Sequence, residues 1–116
     1  MIDEKAQDLG RLIGQSNEYK ALRRAESGLR DDPVAQAKLE TISRLTREFD
    51  QMIAQGQAPA EARAQEYEST LREFELSPTG QAYLVARANV DKLMAKVNQS
   101  IGDGIERGAT SGIITL

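Results

Sequence analysis

The chain has 116 residues, 15 Lys and Arg against 18 Asp and Glu for a formal net charge of −3, and no Cys, His or Trp. Without Cys it has no disulfide, thiolate nucleophile or Cys-ligated zinc or iron–sulfur site, and without His it lacks the usual general base and the commonest transition-metal ligand. The length fits one domain, and the mild acidity argues against general affinity for nucleic acid, which needs a surplus of cations to neutralise phosphate.

Helix formers dominate, no stretch alternates with period two, and β-branched residues are scarce before the last few positions, so the predicted fold is all-α with about five helices. The first segment runs from about Ile2 to Ile13, with Ile2, Ala6, Leu9 and Ile13 along one face. Ser16 is a candidate N-cap for the second, from about Asn17 to Arg30, which carries Tyr19, Leu22, Ala25 and Leu29. Asp32-Pro33 places a capping residue before a proline at the first helical position. The third segment then reaches Gln55 with Leu39, Ile42, Leu45, Phe49, Met52 and Ile53 in helical rhythm. After the stop at Gly56, Ala58-Pro59 opens the fourth segment, whose Ala60, Ala64, Tyr67, Leu71 and Phe74 step 4, 3, 4, 3. Ser77-Pro78 opens the fifth, where Tyr83, Ala86, Val90, Leu93, Val97 and Ile101 form the stripe and a stop is expected near Ile101.

The short link around Gly56 predicts a long antiparallel helical hairpin from the third and fourth segments. The fifth adds a long C-terminal helix. A long helix beside a two-helix arm leaves apolar stripes that one small bundle does not cover, so a homo-oligomer, most simply a dimer, is expected. The expected oligomer or partner interface uses Phe49, Ile53, Tyr67, Leu71, Phe74, Tyr83, Val90, Leu93 and Val97. The domain is expected over 1–107, followed by a flexible C-terminal tail at 108–116 that carries no charged side chain.

Few constellations suggest chemistry. Gly102-Asp103-Gly104 with Gly108 faintly resembles a phosphate loop, but such a loop needs a preceding strand and a following helix, so these glycines are expected to end the fifth helix. Glu66, Glu68, Glu73 and Glu75 read as a solvated face, because a helical di-metal site pairs glutamates with histidine. Glu26 with Arg30, Glu40 with Arg44 and Glu68 with Arg72 are (i, i+4) pairs that support helix. Lys20, Arg23, Arg24 and Arg30 form a possible basic face for RNA or an acidic protein surface, with Arg44 and Arg47 on the next helix. Balance by Glu18 and Glu26 makes a charged solvent face the plainer reading, and no aromatic residue is placed to stack bases apart from Tyr19 in the apolar stripe. The longest apolar run, Ala82 to Ala86, is far below the roughly 20 residues of a membrane span. The opening Met1-Ile2-Asp3-Glu4-Lys5 is unlike a secretory leader, so a cytoplasmic protein without membrane association is expected. No metal or cofactor is expected.

A short amphipathic helix precedes Ser16-Asn17-Glu18-Tyr19-Lys20, then come Ala25-Glu26 and Asp31-Asp32-Pro33-Val34-Ala35-Gln36. Leu76-Ser77-Pro78, Ala82-Tyr83-Leu84, Leu93, Val97-Asn98 and Ile101 follow the hairpin. This order and spacing resembles the YlbF/YmcA family of small helical bacterial regulators, over nearly the whole chain to about Ile105. The resemblance implies a non-enzymatic, oligomeric regulator or adaptor acting with protein partners. It also implies a link to competence, sporulation, biofilm formation and mRNA processing by RNase Y. Iron–sulfur clusters are associated with complexes of that family, and the chain departs there because it has no Cys. The alternative expectation is an RNA-binding accessory protein that uses the basic helical face.

Overall fold

The computed structural model describes the backbone of residues 1–114 and the side chains of residues 1–110. Five helices run in chain order: α1 (Ile2–Gly14), α2 (Asn17–Arg30), α3 (Pro33–Ala54), α4 (Glu61–Leu76) and α5 (Pro78–Ile114), with no strand among the described residues.

Local chemistry sets most of the boundaries. Ser16 joins α1 to α2: its Oγ accepts from the Tyr19 backbone N–H at 3.1 Å and donates to the Ile13 carbonyl at 2.6 Å. One hydroxyl thus satisfies an orphan donor at one helix start and a carbonyl at the preceding helix end. Asp32 caps α3 through the Ala35 N–H at 3.1 Å, and Pro33 occupies the first turn, where no amide hydrogen is needed. The α3 C-terminus closes as a Schellman motif. Gly56 is left-handed at φ 74°, its N–H donates to the Ile53 carbonyl at 3.0 Å, and the Gln57 N–H donates to the Met52 carbonyl at 2.8 Å.

That reversal folds α3 and α4 into the expected antiparallel hairpin. Its register shows in two contacts: Lys38 meets Glu73 at 3.6 Å near the base, and Phe49 meets Tyr67 edge-to-face nearer the turn, with ring centroids 5.6 Å apart. The helix α4 begins at Glu61, two residues later than the proline suggests. Ala60 has no side chain to accept from the first amides, so Pro59 belongs to the connection.

The turn from α4 into α5 consists of Ser77 alone. Its Oγ donates to the Phe74 carbonyl at 2.9 Å and accepts from the Gly80 N–H at 3.0 Å. Gly80 passes so close to α4 that a Cβ there would overlap the Phe74 carbonyl oxygen. Above this corner sits the core: Leu29, Ala35 and Phe74, flanked by Leu39, Ile42, Tyr83 and Leu84, so that α2, α3, α4 and the first turns of α5 all meet there. Phe74 is 0% exposed, and Tyr83 packs against it edge-to-face with centroids 6.3 Å apart.

Two expectations about the C-terminus are corrected. The fifth helix does not stop near Ile101, and residues 108–114 of the expected tail are helical. Gly102, Gly104 and Gly108 therefore lie inside α5; glycine is a poor helix former but lacks proline's steric block, so it does not by itself end a helix. Thr115 and Leu116 lie outside the described residues.

Candidate interaction surfaces

The molecule is elongated, with extents of 62 × 38 × 20 Å and a radius of gyration of 19.7 Å, against about 13 Å for a compact domain of this length. Its accessible surface is 8852 Å², whereas a compact 12.8 kDa monomer exposes about 6,300 Å². Large hydrophobic side chains contribute to that surface. Ile2 (84% exposed), Leu12, Ile53 (66%), Val85, Ile101 (45%) and Ile105 (66%) all face outward.

The expected interface residues divide into three groups. Phe74 is corrected: it is enclosed in the chain's own core and offers no surface to a partner. Tyr83 lies half-buried against that core. Phe49, Tyr67 and Leu71 are half-buried on the hairpin, with Ile53 exposed towards its turn, so one apolar edge of the arm stays open. Val90, Leu93 and Val97 are half-buried along α5.

Two open grooves flank α5. One, of about 730 Å³, runs between Ala21, Arg24, Ala25 and Gly28 of α2 and the Pro78–Asn89 stretch of α5. The other, of about 520 Å³, is walled almost wholly by apolar atoms of Met1, Ile2, Ala6, Leu9 and Ile101, with Lys5 at its edge. Sequence reasoning did not single out Ile105 or the first turn of α1 as exposed apolar surface. The available signal was the apolar rhythm of α5 carrying on through Gly104 and Gly108.

The basic residues are not gathered into one patch. Lys20, Arg23 and Arg24 are exposed on α2, and Arg24 borders the larger groove. Arg30 instead lines a separate recess with Glu26 and Glu40. The expected (i, i+4) pairs do not form; the ion pairs among the described residues are Lys38–Glu73, Arg63–Glu66 at 3.4 Å and Arg87–Asp91 at 3.7 Å. Long exposed side chains gain little from such contacts and lose rotamer freedom in making them.

Asp32 has its carboxyl held below the usual carboxylate range, first by the Ala35 N–H it accepts from and next by the Thr79 hydroxyl, which is a capping arrangement. Among the described residues no three carboxylates converge as a metal site, and the chain has no thiolate to offer an iron–sulfur cluster. No helix of the described residues is long and apolar enough to cross a membrane.

A chain of the X-ray crystal structure of Bacillus subtilis RicA in complex with RicF superposes with a TM-score of 0.68 at 15% identity, covering 93% of this chain and 96% of that one. At that identity the likeness concerns the fold. Among curated proteins none matches the sequence. Residues 2–106 match the family described as control of competence regulator ComK, YlbF/YmcA. With nine-tenths of its length inside that match and the same helical architecture, the chain belongs to the YlbF/YmcA family.

Proposed function

We propose that the protein is a non-enzymatic helical adaptor of the cytoplasm, which self-associates as a homodimer and binds partner proteins of a regulatory complex. The observation that carries this reading is the roughly 2,600 Å² of surface beyond a compact monomer's share, to which exposed Ile2, Ile53, Val85 and Ile105 contribute. Monomeric proteins rarely leave contiguous apolar faces in water. The missing Cys and His, and the use of the Asp32 carboxylate as a helix cap, support a binding role over a catalytic one. The neighbouring fold belongs to a structure of two proteins in complex, which accords with a partner-binding role. The family match supports competence control as the regulated process, and we extend the reading to sporulation, biofilm formation and mRNA processing by RNase Y.

Affinity capture of the tagged chain from its native host, followed by mass spectrometry, tests the adaptor role. A discrete protein recovered in stoichiometric yield is expected. Recovery of the bait alone contradicts it. A second reading, RNA binding, is favoured by one observation: Lys20, Arg23 and Arg24 are exposed and in no ion pair among the described residues. It requires RNA affinity that falls steeply with salt and drops when these three residues become Ala.

A further inference from the structure

The larger groove, between α2 and α5, is open because its walls lack long side chains. Ala21, Ala25 and Gly28 of α2 step 4 and 3 along one wall, and Ala82 and Ala86 of α5 step 4 along the other. Val85 rises from the α5 wall with 55% of its surface in water, and nothing lies within 4 Å of a Cβ built on Gly28. The two helices run antiparallel. Leu29 at the end of α2 shares the core with Tyr83, whereas Leu9, upstream of α2, meets Val97 and Ile101. A trough of about 730 Å³ laid along two helices has the shape of a third, whose side chains fit between theirs.

The rim of this trough is cationic at one end. Arg24 lines it, and Lys20 follows one turn nearer the start of α2. On α5 the series Ala82, Val85 and Asn89 continues at the same rhythm, steps of 3 and 4, into Lys92 and Lys96. Antiparallel packing brings these four cations to the same end of the groove. All four are exposed, and none is in an ion pair among the described residues. The carboxylates of the same stretches leave that charge standing. Glu18 is half-buried, Glu26 lines the separate recess with Arg30, Asp91 pairs with Arg87, and Asp31 closes α2 at the opposite end.

We propose that this groove receives an amphipathic helix of a partner protein, with Leu, Ile or Met on its buried face and carboxylates beside that face at the end nearest Lys92. The stretch from Pro78 to Lys96 is about 27 Å long at about 1.5 Å per residue, or about five turns of such a helix. Apolar contact with Val85 and the alanine walls supplies the affinity, and the cationic end sets orientation and rejects basic partners. The floor favours a protein over RNA, because none of the residues lining it is aromatic and single-stranded bases are held largely by stacking on aromatic rings. The proposal rests on the partner-binding reading above and adds the chemistry of the partner.

Fluorescence polarisation with the full chain tests it. The probe is a labelled peptide of about five helical turns, with leucine at every third or fourth position and glutamate beside the leucines of its first two turns. A second peptide carries lysine in place of each glutamate. The glutamate peptide is expected to bind at least about tenfold more tightly than the lysine one. Lys92→Glu/Lys96→Glu is expected to invert that preference, and Ala82→Trp, which fills the groove from an exposed position, to abolish binding of both. Circular dichroism and thermal melting matching the wild type establish that the variants are folded. Equal binding of the two peptides, binding of neither, or a preference unmoved by the charge reversal overturns the proposal. So does a single-stranded RNA oligonucleotide that binds through Lys92 and Lys96 while the glutamate peptide does not. Affinity capture separates this proposal from the adaptor role. A partner recovered equally by the wild type and by Ala82→Trp keeps the adaptor role and overturns the groove, and recovery of the bait alone removes both.

Discussion

The corner where α4 turns into α5 and the arm made by α1 and the end of α5 solve opposite problems. At the corner local devices interlock: Ser77 uses its hydroxyl as donor and acceptor, Gly80 gives up its side chain for close approach, and Phe74 is fully buried with Tyr83 packed against it. The arm has an equally ordered apolar rhythm, yet every residue of α5 from Asn98 to Thr110 stays exposed. Stability belongs to the first region, and the proposed association falls to the second.

That division makes graded predictions. Phe74→Ala should cost about 3–5 kcal/mol, because it removes a large side chain at the meeting point of four helices, and loss of cooperative thermal unfolding would show it. Gly80→Ala forces a methyl group against the Phe74 carbonyl, which is backbone and cannot swing aside. A loss of about 1–3 kcal/mol in urea denaturation is expected. Ser77→Ala removes one cap and should cost about 1 kcal/mol by the same measurement. Ile105→Ser in the arm should change the unfolding free energy of the isolated monomer by less than about 0.5 kcal/mol while weakening association. A destabilised monomer there would erase the contrast between the two regions.

Asp32 adds a pH dependence to the well-packed side. Its folded carboxyl titrates below the ordinary aspartate value of 3.8, so its contribution is present above that value and is lost as pH falls through the lower, folded one. Melting temperature should fall across that acid window in the wild type, and less so in Asp32→Asn.

The corner and the caps were legible in the sequence because each uses a local device. Ser16, Asp32 and Ser77 each precede a helix by one position, and short-range hydrogen bonds decide them. Three features were not legible. Pro59 looks like a helical first residue, yet Ala60 lacks a capping oxygen and α4 waits until Glu61. The glycines after Ile101 read as a stop, but propensity alone does not end a helix whose rhythm continues. Phe74 carries the same stripe spacing as Leu71 and Tyr67, and only the fold tells which of the three turns inward completely. Periodicity identifies apolar faces; it does not say whether the same chain or another one covers them.

The central claim is that a second copy of the chain covers the surplus apolar surface. Sedimentation velocity of the untagged wild type across micromolar concentrations tests it most directly. The account predicts a dimer near twice the 12.8 kDa chain mass, whose dissociation is promoted by Ile105→Ser. A single 12.8 kDa species at every concentration, with the frictional ratio of a 62 Å rod, would contradict it.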